Sequence, residues 1–123
     1  MLQAINREDF CSKIYDLSNI AATSLQFKGL IPAVVCFYIN GDYTDRMISD
    51  LETVSESLSG RGINFYTVDA NVESSLTTQI GVRAIPTLLV IPVTGDPIIL
   101  MGLIDKVGLE KILTKAIPRS IIL

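Results

Sequence analysis

An unbroken apolar segment restricts most strongly what this chain can fold into. It reads Ala-Val-Val-Cys-Phe-Tyr-Ile over residues 33–39, follows Pro32 and precedes Asn40-Gly41. A segment rich in β-branched and aromatic residues, and too short for a core helix, is typical of a central strand that is covered on both faces. The rest of the chain must therefore supply helices for both faces of a sheet.

The N-terminal residues predict one strand and one helix. Residues 2–5 favour a short edge strand, and Asn6 offers a side-chain cap to a helix whose first turn is acidic. A mixed, loop-like stretch over residues 18–29 follows. The helix would carry three apolar side chains on one face: Phe10, Ile14 and Leu17.

After the central strand, the apolar residues change to helical spacing. This pattern predicts a long amphipathic helix over residues 43–59, with Gly60 as its C-terminal stop. Residues 63–68 alternate like a strand. A short helix over residues 72–80 is expected next, capped by Asn71 and ended by Gly81.

The C-terminal part predicts a hairpin and a last helix. Strands are expected over residues 87–91 and 98–103, joined by turn chemistry at Thr94-Gly95-Asp96. Strands joined by helices run parallel and hairpin strands run antiparallel, so the 123 residues predict one α/β domain, residues 1–123, with a mixed sheet. The last helix places its apolar residues on one face: Leu109, Ile112, Leu113, Ala116 and Ile117.

Composition excludes several function classes. The chain has no histidine, which removes Ser-His and Cys-His catalysis, and its two cysteines, Cys11 and Cys36, fit no zinc-ligand pattern. The net charge is −3 and the basic residues are scattered, so neither nucleic acid nor a membrane is expected as a partner. Neither a metal nor a cofactor is predicted.

Three motifs resemble the thioredoxin family. They are the apolar strand followed by Arg46-Met47-Ile48, the strand end Val68-Asp69-Ala70-Asn71, and residues 81–89, which read Gly-Val-Arg-Ala-Ile-Pro-Thr-Leu-Leu. The resemblance covers nearly the whole chain and is closest to bacterial thioredoxins. It implies a thioredoxin fold, βαβαβαββα, with a five-stranded mixed sheet flanked by four helices. It also implies a cis proline at Pro86 that presents backbone to a substrate peptide.

The chain departs from the family where the family's chemistry resides. In place of Cys-X-X-Cys at the start of the long helix it has Asp42-Tyr43-Thr44-Asp45, and Gly41 stands where many members have tryptophan. Thiol–disulfide exchange needs one thiolate to attack and a second thiol to resolve the mixed disulfide. This degenerate redox site, residues 42–45, therefore predicts no catalytic residue.

The two aspartates have two interpretations. The favoured one is a capping box in which Asp42 is the N-cap of the long helix and Asp45 is the acid three residues on. The alternative is a carboxylate pair that binds a cation or a basic partner, or that works as acid and base. Arg83 and Asp69 are expected to be solvated loop residues or a local salt bridge.

Cys36 occupies the position where the family commonly has a buried aspartate beneath the dithiol. The two functional positions have thus changed together, as expected if a buried acid lost its purpose. The default expectation is two reduced, buried cysteines. A catalytic monothiol at Cys36 and a disulfide between Cys36 and Cys11 are the alternatives.

Three classes of function are consistent with this sequence. The favoured one is a redox-inactive thioredoxin-like module that binds a protein or peptide and is not expected to be an enzyme. Its binding groove would include the loop near Ala70-Asn71, and Tyr43 would be either an exposed anchor or a surface side chain. The second is a thiol–disulfide oxidoreductase by ancestry, with residual activity. The third is an accessory subunit that packs through Ile121-Ile122-Leu123. The predicted peptide-binding residues are Gly41, Asp42, Tyr43, Arg83, Ala84, Ile85 and Pro86.

Compartment and assembly are the last expectations. The two unpaired cysteines and the lack of a signal-like N-terminus favour the cytoplasm, and the periplasm is expected if a signal peptide was removed. A monomer or a weak homo-oligomer is expected.

Overall fold

The computed structural model describes residues 2–17, 27–39, 44–93 and 95–117, with Ser59 described by its backbone alone. The predicted order of strands and helices is confirmed, and a 3₁₀ turn at Ser59–Arg61 is added to it. The elements are β1 (Leu2–Ala4), α1 (Arg7–Lys13), β2 (Ala33–Tyr38), α2 (Asp45–Ser57), β3 (Asn64–Asp69), α3 (Ser74–Ile80), β4 (Thr87–Ile91), β5 (Ile98–Met101) and α4 (Lys106–Ala116).

The five strands form one mixed sheet in the order β1-β3-β2-β4-β5. Strands β1, β3 and β2 are parallel, whereas β4 is antiparallel to β2 and β5 is antiparallel to β4. The apolar segment becomes β2, at the centre, where Val35 lies between Tyr66 and Leu89. The prediction of a central strand is therefore confirmed.

Both faces of the sheet are covered, because successive side chains of β2 point in opposite directions. Val35 and Phe37 pack with residues of α1 and α3, including Phe10 and Leu76. Val34 and Cys36 pack with residues of α2 and α4 on the other face. A fully buried aliphatic or aromatic side chain stabilises the fold by about 1.5–3 kcal/mol, so the two layers explain why the continuous apolar strand is central.

Strand polarity brings the ends of β2, β3 and β5 and the start of β4 to one end of the sheet, here called the carboxyl end. Tyr38 at the end of β2 pairs with Asp69 at the end of β3. Thr87, the first residue of β4, pairs with Phe37 of β2 and with Met101 of β5. The helix α2 follows β2 and begins at this end, so the loops that carry the predicted site converge there.

The predicted cap of α1 is confirmed, but the helix is shorter than expected. The Asp9 N–H donates to Asn6 Oδ1 at 2.8 Å and the Asn6 N–H donates to Asp9 Oδ2 at 3.4 Å, which forms a capping box. The helix ends at Lys13. Ile14 and Leu17 are buried as predicted, but they lie beyond the helix rather than on its face.

Three predicted stops and caps were placed on the wrong residue. After α2, it is Gly62 rather than Gly60 that takes a left-handed backbone, with φ of 68°. Helix α3 begins at Ser74 with Glu73 as N-cap, and Asn71 lies in the preceding turn. Strand β5 ends at Met101 because Gly102 has φ of 103°, outside the extended region. Gly81 ends α3 as predicted, with φ of 90°.

Several sequence predictions fall outside the described residues. These are most of the loop-like stretch before β2, the turn residue Thr94 and the apolar C-terminal residues 121–123. Among the described helices, none combines the length and the apolarity needed to cross a lipid bilayer.

Candidate functional site

The start of α2 is anchored to the end of β2 by a buried hydroxyl. Thr44 is 0% exposed, and its Oγ1 donates to the Ile39 carbonyl oxygen at 2.9 Å. Thr44 is the N-cap, because its carbonyl accepts from the Ile48 N–H, and its side chain makes no cap hydrogen bond. The predicted capping box with Asp42 as N-cap is therefore wrong, because Thr44 is the N-cap and its hydroxyl donates to the end of β2.

Asp45 is the first residue of α2 and is exposed to solvent. A carboxylate in this position is stabilised by the unpaired N–H groups at the helix N-terminus. Next to it, Arg46 forms an i,i+4 ion pair with Asp50 at 3.6 Å, in which the arginine side chain is 87% exposed and the aspartate side chain 16% exposed. A helical i,i+4 pair whose arginine is solvated contributes little to stability.

The loop before β4 has the shape that the family resemblance implied. The Ile85–Pro86 peptide bond is cis, and Pro86 is buried. Two hydrogen bonds hold the loop: Thr87 Oγ1 donates to the Ala84 carbonyl at 2.6 Å, and the Gly102 N–H donates to the Pro86 carbonyl at 2.8 Å. Thr87 is 0% exposed, whereas Arg83 and Ala84 are exposed, so a fixed base carries a solvent-facing rim.

Asp69 shapes the turn after β3. Its Oδ1 accepts from the N–H groups of Asn71 at 3.0 Å and Val72 at 3.3 Å, as aspartate does in an Asx turn. The Ala70 N–H donates to the Tyr38 carbonyl at 2.8 Å, which ties this turn to β2. Of the two predicted interpretations, the local salt bridge is not formed, since no ion pair involves Asp69 or Arg83 among the described residues.

Tyr38 belongs to this site, although sequence reasoning assigned it only to the strand. Burial raises the pKa of its hydroxyl, and the negative charges of Asp69, Cys36 and Asp45 in their ionised forms raise it further. The phenol therefore stays protonated at neutral pH and can donate a hydrogen bond. Its place as the last residue of the central strand was the signal available in the sequence.

Two exposed apolar side chains at the carboxyl end were also missed. Val72, in the turn after β3, is 73% exposed, and Leu103, just after β5, is 61% exposed. Each follows a strand that ends at the carboxyl end of the sheet. Their position beyond a strand end was the available signal. They lie at the same end of the sheet as the cis-proline loop, and the loop residues 70–72, 83–86 and 102–103 at this end are here called the groove.

The two cysteines lie on opposite sides of the sheet. Cys36 is 0% exposed in the core beneath α2 and α4, and burial raises the pKa of its thiol to about 12. Cys11 is half-buried in α1 and packs against the core of the other face. Both are unpaired. The alternative of a disulfide between them is therefore not realised, and the default expectation of two reduced, buried thiols holds for Cys36 but only in part for Cys11.

Part of the predicted site falls outside the described residues. Gly41, Asp42 and Tyr43 are among these, so the carboxylate-pair hypothesis and the role of Tyr43 as anchor stay predictions. Within the described ranges, no cluster of three or more histidine, cysteine, aspartate or glutamate residues is arranged to hold a metal ion.

Comparisons with known proteins find a sequence relative and similar solved structures. No protein-family model matches the chain. It is 33% identical over 113 residues to the thioredoxin of Borreliella burgdorferi, a match that covers 92% of this chain and 95% of that protein. A chloroplastic thioredoxin z superposes with a TM-score of 0.69 at 17% identity, covering 93% of this chain and 92% of that one. A Malassezia sympodialis thioredoxin gives 0.67 at 23% identity, covering 94% and 90%.

Proposed function

The chain belongs to the thioredoxin family, and we propose that it is a member without thiol–disulfide exchange activity that binds a protein or peptide in the groove. One contrast carries the proposal: the cis-proline loop keeps its supporting hydrogen bonds, whereas no thiol stands at the start of α2. A binding surface has been kept where the redox pair is absent.

The remaining thiols are poorly suited to replace that pair. A thiol with a pKa of about 12 is almost entirely protonated at neutral pH, and Cys36 has no exposed surface through which a disulfide could approach. Cys11 is more accessible but lies on α1, on the opposite face from Cys36, so it cannot resolve a mixed disulfide formed there.

The chemistry of the groove suits an extended segment with apolar side chains. Val72 and Leu103 expose large apolar areas, and burying such surface under a partner is favourable at roughly 25 cal/mol per Å². The exposed residues Arg83 and Ala84 adjoin the buried Pro86, so a partner would meet a loop held by the hydrogen bonds to the Ala84 and Pro86 carbonyls. Extended peptides that bind beside sheet ends combine main-chain hydrogen bonds with such side-chain contacts.

Peptide binding can be mapped residue by residue. Titrating a diverse peptide library into isotope-labelled protein is expected to shift amide resonances of residues 70–72, 83–86 and 102–103. Leu103→Lys is expected to weaken the affinity of any binding peptide about tenfold or more, because a cation replaces an apolar contact. Val93→Lys is the control, since Val93 is 49% exposed at the opposite end of β4. No peptide-dependent shift in the three loops would refute binding at the groove.

Residual redox activity through a remaining thiol makes a different prediction. We expect the native chain to reduce insulin with dithiothreitol at the rate of the control without protein, since the Cys36 thiol is fully buried with a raised pKa and Cys11, on the opposite face of the sheet, has no second thiol beside it. Turnover above that control, lost in Cys36→Ser or Cys11→Ser, would establish the oxidoreductase function in place of the proposed one.

A further inference from the structure

Strand β5 forms one edge of the sheet and exposes apolar side chains there. Ile98 is 38% exposed, Ile99 46% and Met101 51%. Between Asp96 and Asp105 the sequence contains no charged residue, and Pro97 stands before the strand rather than within it. Edge strands of soluble proteins usually carry charges, prolines or bulges that prevent pairing with another strand. β5 has none of these between Ile98 and Met101.

The register shows which backbone groups of β5 face outward. The Gly102 N–H donates to the Pro86 carbonyl, and these residues continue the register in which Leu100 pairs with Leu88. Hydrogen-bonded pairs alternate along an antiparallel ladder, so Leu100 bonds to β4 while the N–H and C=O groups of Ile99 and Met101 face the open edge. Within the described residues, no hydrogen bond is made to these outward groups.

The opposite edge of the sheet differs. Strand β1 has three residues, and the Leu2 N–H at its start donates to Glu52 Oε2 at 2.9 Å. The Glu52 carboxylate therefore both accepts the Leu2 N–H and brings a negative charge to this edge. Of the two edges, β5 is therefore the one suited to accept another strand.

We propose that β5 pairs antiparallel with β5 of a second copy of this chain, with Leu100 at the twofold axis. In this register Ile99 of one copy stands opposite Met101 of the other, and each such pair exchanges both N–H···O bonds. The outward groups of Ile99 and Met101 are the groups this register needs. No charged side chain enters the ladder, which favours a copy of the same uncharged strand over a charged partner.

A recess beside β5 supplies a place for the incoming side chain. It has a volume of about 310 Å³ and is lined by Tyr15, Ile80, Leu89, Pro97 and Ile99. Met101 of the second copy stands beside Ile99 on the same face of the sheet, because residues paired across a ladder share a face. Methionine is flexible and fills irregular apolar gaps well, so its side chain reaches over this recess.

The expected dimer is weak and depends on concentration. One short strand pair buries much less than the roughly 1,200–2,000 Å² of a standard interface. We therefore expect weak association, with a dissociation constant on the order of 10 μM to 1 mM. The proposal does not depend on peptide binding, because the outward edge of β5 lies outside the groove. If the chain does not dimerise, the proposed function is unaffected.

Sedimentation equilibrium tests the proposal directly. The native chain is expected to shift toward twice its mass of 13.4 kDa as concentration rises through that range. Met101→Lys is expected to abolish the shift, because a cation on each copy enters the ladder, whereas Val107→Lys, at a residue 60% exposed on α4, should retain it. A constant monomer mass, or equal effects of the two substitutions, would overturn the proposal.

Amide hydrogen exchange identifies the interface by backbone position. The amides of Ile99 and Met101 are expected to become protected as protein concentration rises, because they gain partners only in the dimer. The Leu100 amide is an internal control, since it is already bonded to β4. A dimer in which Ile99 and Met101 exchange as fast as in the monomer would assign the association to a different surface.

Discussion

Replacing Cys36 by aspartate is expected to lower the free energy of unfolding at pH 7 by about 3–5 kcal/mol. Cys36 is 0% exposed and packs among apolar side chains of α2, α4 and the sheet. A carboxylate there is desolvated with no cation beside it, so its pKa in the folded state rises above the value of about 3.9 in the unfolded chain.

The loss of stability from Cys36→Asp is expected to depend on pH. Below about pH 4 the carboxyl is protonated in both states, and the variant should approach the stability of Cys36→Asn. As pH rises, the unfolded state ionises first, so stability falls until pH passes the raised pKa of the folded state. Urea unfolding of both variants across this range measures the effect. Equal, pH-independent stabilities would show that the site solvates a charge.

Restoring two cysteines is expected to restore redox chemistry. The variant Asp42→Cys with Asp45→Cys should form a disulfide and reduce insulin well above the control without protein. The physical reason is the position of residue 45 at the N-terminus of α2, where the helix dipole stabilises a thiolate. The cis-proline loop precedes β4 at the same end of the sheet at which α2 begins.

The matched control is Asp42→Ser with Asp45→Ser, which removes the same charges but supplies no thiol. Mass spectrometry after alkylation reports whether the disulfide forms, and the insulin assay reports turnover. A disulfide that forms without turnover would mean that the groove no longer accepts a substrate of this kind. A dithiol that does not oxidise would mean that the start of α2 has lost the geometry of the family.

The sheet could be predicted from the sequence because burial on two faces leaves a strong pattern. Both ends of the strand at residues 87–91 could be predicted, because every residue of that strand is buried and turn residues lie on either side. Helix ends were harder. The helix boundaries are set by hydrogen bonds and backbone angles at Thr44, Gly62 and Glu73, and several neighbouring residues could equally have adopted them.

The site was predictable only in part because it is assembled from separate strand ends. Pro86 lies within a distinctive local motif, so the resemblance identified it. The only signal for Val72 and Leu103 was their position near a predicted strand end, and their exposure depends on how β3 and β5 end in three dimensions. Tyr38 was assigned only to the strand, because the causes that raise its pKa, burial first and then the charges of Asp69, Cys36 and Asp45, arise from packing in the folded chain.

Because Cys36 is buried, the redox state of the surroundings is not expected to control its thiol. A dithiol member of the family alternates between two covalent forms as its surroundings donate or withdraw electrons. Here the thiol beneath α2 is sealed from oxidants, and its high pKa keeps it in a single chemical form. Occupancy of the groove would then follow the abundance of the partner rather than the supply of reducing equivalents.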